Sequence, residues 1–172
     1  MRSPLRTFAL LALPAVLLSA CGFRPMYGAS ATTAPIGPLF VETTPGKGGF
    51  ALKNELERLL DVERGAGPVR RLQVTLSEGV AGLGFRVDES ASRSDLSLSA
   101  SYILYDVSGA ELLRGSAAAT ASYDVPSSAY GELTAQEDAR ERAAEVLAER
   151  LRADLALRLA RQRAQAAADK AK

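Results

Sequence analysis

The strongest constraint on the fold is the alternation of residue types over 96–106. Every second residue of this segment is apolar or aromatic: Leu96, Leu98, Ala100, Tyr102 and Leu104. The residues between them include Ser97, Ser99 and Ser101. Because successive side chains of a strand point to opposite faces of a sheet, this pattern predicts a half-buried strand. The pair Ser108-Gly109 then predicts a hairpin turn, and 111–124 predicts the antiparallel return strand.

Two segments carry apolar residues at helical spacing. The first, 50–62, has Leu52, Leu56, Leu59 and Leu60 on one side. The second, 135–161, has Ala144, Leu147, Ala148, Leu151 and Leu155 on one side, with acidic residues near its start and arginines near its end. A capping box formed by Thr134 and Glu137 predicts the start of the second helix. The residues after 163 are small and polar, so we expect 164–172 to be a disordered tail.

The order of elements predicts the architecture. A short strand at 39–41 precedes the first helix and a second, alternating strand at 69–78 follows it. We expect 79–95, which is rich in Gly, Ser and charge, to be a long exposed connection, with 83–87 as an alternative extension of the strand pairing. A right-handed crossover makes the first two strands parallel. The sequence therefore predicts one α+β domain over 39–163, two helices on one face of a mixed four-stranded sheet in the order β-α-β-β-β-α.

Residues 1–20 have the three parts of a secretory signal. Arg2 and Arg6 precede an apolar run over 7–18, and small residues end the segment. The apolar run is shorter than the roughly 20 residues that a membrane-spanning helix needs. We therefore expect cleavage before Cys21, followed by a lipidated N-terminus and tether over 21–38, because 29–38 is small, polar and interrupted by proline.

Cys21 is the expected lipidation site. The string Leu18-Ser19-Ala20-Cys21 resembles the bacterial lipobox, in which the thiol takes up a diacylglyceryl group. The chain has one cysteine, and an exposed thiol in an oxidising compartment would invite unwanted pairing, whereas a thioether is inert. The alternative is an ordinary secreted protein with a free thiol. Because residue 22 is Gly rather than the Asp that retains lipoproteins at the inner membrane, the lipoprotein reading predicts anchoring at the periplasmic side of the outer membrane.

The residue inventory excludes most catalytic chemistry. The chain has no His and one Cys, which rules out Cys/His metal sites, Ser-His-Asp triads and intrachain disulfides. Lys47 and Lys53 precede the tail, but no candidate nucleophile has an evident base beside it. Loss of the signal changes the net charge from +1 to about −1, which gives no reason to expect nucleic acid. We therefore predict a non-enzymatic protein without a cofactor or metal.

Two sets of residues are candidates for binding. The face that carries Ser97, Ser99 and Ser101 is small and uncharged, which permits close approach by a protein partner. A solvated sheet face that happens to be rich in serine is the alternative. Arg86 and Arg93 flank an acidic pair, and guanidinium groups suit anionic lipid head groups. A solvated charged loop is the alternative for these arginines.

The residues after Cys21, Gly-Phe-Arg-Pro-Met-Tyr-Gly over 22–28, resemble the mature start of the LptE family of lipopolysaccharide-assembly lipoproteins, most closely its alphaproteobacterial type. The similarity continues through the Leu-rich helix, the paired strands, 123–125 and the helix after Glu132. This resemblance implies two helices on a four-stranded sheet. It also implies a protein that plugs and helps assemble the LptD-like outer-membrane β-barrel translocon and contacts lipopolysaccharide. An accessory tethering lipoprotein of a periplasmic transport system, without lipopolysaccharide binding, is the competing hypothesis.

Overall fold

A computed structural model describes Ile36, 39–60, Val62, 69–85 and 91–170 of the chain, all within one unit that covers Thr33–Lys172. The elements in this part are β1 (Leu39–Thr43), α1 (Lys47–Leu60), β2 (Arg70–Phe85), β3 (Ala91–Tyr105), β4 (Glu111–Asp124) and α2 (Ala129–Lys170). The predicted order β-α-β-β-β-α is confirmed. The signal segment, Cys21 and Arg86 lie outside the described residues, as does the tether apart from Ile36.

The four strands form one mixed sheet in the order β1-β2-β3-β4. β1 runs parallel to β2, with Leu39 opposite Arg70, and the other two pairs are antiparallel. The turn between β3 and β4 contains Gly109, whose φ of 86° is accessible mainly to glycine. Asp106 Oδ1 accepts hydrogen bonds from the backbone N–H groups of Ser108 and Ala110 at 2.8 and 2.9 Å. The hairpin predicted at Ser108-Gly109 is therefore confirmed.

One face of the sheet is covered by both helices. The apolar residues predicted for the inner face of β3 are all buried, and the helices contribute their leucines and alanines to the same core. The largest fully buried side chains include Leu52, Leu56, Leu72, Leu98, Tyr102, Leu147 and Leu151. Burial of a leucine side chain stabilises the fold by about 1.5–3 kcal/mol, so this single layer of contacts is the main source of stability. No described element packs on the opposite face of the sheet.

The core begins earlier in the chain than the predicted boundary at 39. Ile36 is buried, and its carbonyl oxygen accepts a hydrogen bond of 2.7 Å from Arg70 Nη1. Ile36, which belongs to the predicted tether, thus lies beside the first residue of β2. An apolar side chain next to a strand start is buried for the same reason as the strand residues themselves.

The segment 79–95, expected to be a long exposed connection, is mostly strand. β2 continues to Phe85 and β3 starts at Ala91, with Val80 opposite Leu96 and Gly82 opposite Ser94. Register shifts near Gly84 mark a bulge. Every second residue of each strand exchanges backbone hydrogen bonds with the other strand, so glycine and serine positions pair without a buried side chain. The expectation of an exposed loop was wrong for these residues.

The last helix is longer than predicted at both ends. It starts at Ala129, where Ser128 Oγ accepts a hydrogen bond of 3.1 Å from the Gly131 N–H and so serves as the N-cap. Thr134 lies inside the helix and donates to the Tyr130 carbonyl, so the predicted capping box is wrong. At the other end, 164–170 is helical and exposed rather than a disordered tail. Alanine, glutamine and lysine in this segment are strong helix formers.

Candidate partner surface

The centre of the uncovered sheet face is a patch of small, uncharged side chains, which we call the serine patch. It consists of Thr75 and Ser77 on β2, Ser99 and Ser101 on β3, and Ser116 and Ala118 on β4. Two rows of cross-strand neighbours build it, Thr75-Ser101-Ser116 and Ser77-Ser99-Ala118. These residues line a shallow depression of about 520 Å³. The patch is therefore a shallow, neutral surface formed by three adjacent strands.

Polar contacts and charges surround the serine patch. Toward one end, Ser97 Oγ and Thr120 Oγ1 lie 3.2 Å apart, and Ser122 donates a hydrogen bond to the Asp95 carboxylate. Toward the other end, the Arg71 guanidinium lies 4.8 Å from the Tyr105 ring centroid. A neutral centre with a polar and charged rim is the usual anatomy of a protein interface.

The predicted residues Ser97, Ser99 and Ser101 lie together on this face. Thr75 and Ser77 lie on the polar side of the alternating strand predicted over 69–78, but they were not among the predicted surface residues. The missing information was the strand register, which places Thr75 beside Ser101 and Ser77 beside Ser99. Side-chain alternation indicates the face of a residue but not its cross-strand neighbour.

The arginine candidates lie elsewhere. Arg86 is outside the described residues. Arg93 is exposed and six residues before Ser99, which corresponds to about 20 Å along a strand. Arg93 lines a small cleft of about 360 Å³ together with Asp124, Asp138 and Arg142. The structure therefore does not bring Arg93 to the serine patch but to a mixed-charge site at the end of the sheet, where Arg142 was not foreseen.

An ion-pair network behind the patch ties β2 to both helices. Arg140 on α2, with 8% of its side chain exposed, donates to Glu78 Oε2 from Nε at 3.0 Å and to Glu78 Oε1 from Nη2 at 2.8 Å. Arg140 Nη1 also donates to Glu137 Oε2 at 2.6 Å, and Lys47 Nζ donates to the same oxygen at 3.0 Å. Because Glu78 follows Ser77, the network holds one edge of the serine patch in place.

The electrostatics of this network follow from its hydrogen bonds. The hydrogen bond to the Glu78 carboxylate raises the pKa of the Arg140 guanidinium. The ammonium of Lys47, followed by Arg140, lowers the pKa of Glu137. Both shifts favour the charged forms of Arg140 and Glu137, and the buried guanidinium has one carboxylate partner on β2 and one on α2.

Together, the described residues form a two-layer α+β domain with a small, neutral patch at the centre of one sheet face. Within the described residues, no helix combines the length and apolar character needed to cross a membrane. The family model described as "LptE: Lipopolysaccharide-assembly" matches residues 37–162. The chain belongs to the LptE family, which confirms the resemblance found in the sequence and assigns the protein to lipopolysaccharide assembly.

Solved structures support the same assignment. The chain is similar to a lipoprotein from Caulobacter crescentus, with 28% identity over 76% of this chain and 96% of that one, at a TM-score of 0.62. A minor lipoprotein from Acinetobacter baumannii has 14% identity over 71% and 92% of the two chains, at a TM-score of 0.55. Lipoprotein B from Nitrosomonas europaea has 14% identity over 78% of this chain and 90% of that one, at a TM-score of 0.57. The last two show the fold alone. No curated protein matches the chain.

Proposed function

We propose that this protein is an outer-membrane lipoprotein that plugs and helps assemble an LptD-like β-barrel lipopolysaccharide translocon, and that it contacts lipopolysaccharide during insertion. Membership of the LptE family supports the role in lipopolysaccharide assembly. The observation that carries the barrel contact is the serine patch, since a solvated sheet face more often carries long charged side chains. No step of this function needs a catalytic residue.

The chemistry of the patch suits the interior of a barrel. The lumen of a transmembrane β-barrel is polar, because its strands alternate apolar residues outward and polar residues inward. Short hydroxyl side chains can approach such a wall closely and exchange hydrogen bonds with it without desolvating a charge. We therefore place the barrel wall against Thr75, Ser99 and Ser101.

A double substitution tests the barrel contact. Ser99→Arg/Ser101→Arg introduces two long cations at the centre of the patch, which would hold the surfaces apart and be desolvated on contact. We expect the variant to fold, with a circular dichroism spectrum like that of the wild type, and to lose co-purification with the barrel protein of the same bacterium. The matched control is Val107→Arg/Leu157→Arg, which adds the same charge at exposed sites away from the sheet face. Equal co-purification of both variants would reject the patch as the interface.

The lipopolysaccharide contact is assigned to Arg86 and Arg93. Guanidinium groups bind phosphates through paired hydrogen bonds, and Arg93 is exposed at the edge of its cleft. Arg86→Ala/Arg93→Ala should reduce the photo-crosslinking of the protein to lipopolysaccharide. Arg58→Ala, which removes an exposed arginine from α1, serves as the control. Undiminished crosslinking of the double variant would remove these arginines from the site.

The membrane anchor is assigned to Cys21. Because a hydroxyl group cannot replace the thiolate in thioether formation, Cys21→Ser should prevent acylation. A single acyl chain binds a membrane only marginally and several make the anchoring durable, so the unacylated protein should leave the membrane fraction. Labelling with a fatty-acid probe and fractionation of the envelope measure both effects. Normal acylation of Cys21→Ser would contradict the lipoprotein assignment.

A further inference from the structure

The two edges of the sheet differ in whether their outward backbone groups have hydrogen-bond partners. Along β4, three side chains of α2 cap backbone carbonyl groups: Arg142 donates to Ser122, Arg150 to Ala118 and Gln162 to Leu112. These contacts occupy acceptors that a further strand would need. The β4 edge is therefore partly occupied by side chains of α2, which hinders strand pairing there.

The other edge is open along the second half of β2. β1 pairs with β2 only as far as Thr43 opposite Val74, and Thr44 adds contacts to Val74 and Leu76. Because backbone groups alternate in direction along a strand, the N–H and C=O groups of Glu78, Val80 and Gly82 point away from β3. In the part of the chain that the structure describes, no hydrogen bond occupies these groups. All three residues are exposed, and 48% of Val80 is accessible.

The charge at this edge does not oppose pairing. The Glu78 carboxylate is bound by Arg140 on the inner face, so it does not project from the edge. The next five residues, 79–83, carry no charge and no proline, which are the usual features that block an edge. The segment has the properties of a template for an added strand.

The small side chains indicate the type of strand that fits. If two copies paired through this edge, the glycine and alanine residues of one copy would lie opposite those of the other. Such small residues make few cross-strand side-chain contacts. A strand with β-branched or aromatic side chains at alternate positions would instead pack over Gly79 and Ala81 on the outer face and against Val80 on the inner face. The edge is thus better matched to a bulky, uncharged strand than to a second copy of itself.

We propose that the open edge of β2 over 78–82 binds an extended, uncharged segment of the barrel partner by β-strand addition. This inference rests on the proposed function, and it names the mode of attachment. The strands of a closed barrel have both edges paired, so the added segment comes from a loop or a terminal segment of that protein. The new strand lies beside the serine patch, because Ser77 belongs to the same stretch of β2.

Hydrogen exchange of the full-length lipoprotein, alone and in complex with the barrel protein, tests the proposal. The amides of Glu78, Val80 and Gly82 should exchange rapidly in the free protein and slow by about tenfold or more in the complex. The amide of Ala81, which points toward β3, is the internal reference. Unchanged exchange in a complex that does form would overturn the strand addition and leave the proposed function standing. Failure of the wild-type proteins to associate would overturn both.

Three further outcomes would overturn the proposal. Protection of these amides in the free monomer would mean that another part of this chain covers the edge. Protection that grows with the concentration of the free protein would mean that a second copy covers it. Slow exchange only on addition of lipopolysaccharide micelles, without the barrel, would assign the edge to lipid.

A proline substitution provides a second test of the strand addition. Val80→Pro removes an outward N–H that β3 does not use, so the hairpin keeps its internal hydrogen bonds. Val80→Ala is the matched control, because it also shortens the side chain but keeps the donor. We expect Val80→Pro to weaken the complex about tenfold and Val80→Ala about threefold or less, with circular dichroism to check the fold of both. Equal affinities of the two variants would contradict pairing at this edge.

Discussion

The phenol of Tyr102 on β3 donates a hydrogen bond of 2.6 Å to Asp154 Oδ2 on α2, between the sheet and the helix. Arg158 Nε donates to the same oxygen at 2.8 Å. Burial, and then the hydrogen bond to Asp154, raise the pKa of the Tyr102 phenol. The bond fixes the position of α2 along the sheet, because an unpaired phenol or carboxylate at this depth would be costly.

Tyr102→Phe removes this donor and nothing else. Hydrogen bonds to charged groups stabilise proteins by roughly 1.5–3 kcal/mol when buried, and Asp154 keeps Arg158, so we expect a loss of about 1–2 kcal/mol. Denaturant unfolding of the mature domain measures the change. Tyr105→Phe is the control, because its long 3.4 Å contact to Gln73 is exposed and its removal should cost at most about 0.5 kcal/mol. Equal stabilities of the two variants would show that the buried bond contributes nothing.

Gly115 on β4 makes room for the same bond. A Cβ at this position would lie 2.5 Å from Tyr102 Oη and 2.6 Å from Asp154 Oδ2. Gly115→Ala should therefore displace the pair and destabilise the domain by about 1–3 kcal/mol, the usual cost of overpacking. Gly79→Ala is the matched control, since a Cβ there meets no atom within 4 Å. Thermal melts measure both variants. Equal melting temperatures of Gly115→Ala and Gly79→Ala would contradict this account.

Most of the fold could be predicted because the periodicity of apolar residues is strong where one face is buried. The inner residues of β3 and the bounds of β4 over 111–124 are examples, since each inward position has a core to face. The hairpin over 79–95 was missed because its residues gain stability from backbone pairing, which leaves no apolar alternation in the sequence. The start of α2 was missed because Thr134 has a Glu three residues later, as in a capping box, whereas Ser128 has Gly131 at that distance.

The candidate surface was predictable only in part. Alternation placed Ser97, Ser99 and Ser101 on the uncovered face, but the contribution of Thr75 and Ser77 depends on register, which alternation does not give. The Glu78-Arg140 pair spans 62 residues of sequence. Arginine on an amphipathic helix is ordinarily solvated, so nothing in the sequence marks Arg140 as buried.

Arg140→Leu tests the network behind the serine patch. The substitution leaves the Glu78 and Glu137 carboxylates close together without their shared partner, and loss of one member of a buried ion pair costs about 3 kcal/mol. Because Glu78 keeps some exposure, we expect a loss of about 2–3 kcal/mol in denaturant unfolding. Arg58→Leu, which breaks an exposed pair with Glu55, is the control and should have a much smaller effect, because exposed ion pairs contribute little to stability. A small effect of Arg140→Leu would mean that the buried network is not a structural element.

The Tyr102-Asp154 bond also predicts a dependence of stability on acid. Burial opposes the charge of Asp154, but the hydrogen bonds from Tyr102 and Arg158 outweigh it and hold the pKa of this carboxyl below its ordinary value. A group whose pKa is lowered in the folded state stabilises the fold above its unfolded pKa, and this contribution is lost as the pH falls through the folded pKa.

The free energies of unfolding of the wild type and of Asp154→Asn should therefore differ at pH 7 and converge below about pH 4, where the carboxylate of the unfolded chain is already protonated. Other carboxyls with lowered pKa values, such as Asp106 and Glu137, titrate in both proteins and cancel in the difference. Urea unfolding at a series of pH values from 7 to about 2.5 measures the gap. Since protonation of Asp154 is the only step that distinguishes the two proteins, a gap that stays constant across this range would mean that Tyr102 and Arg158 do not stabilise the charged form.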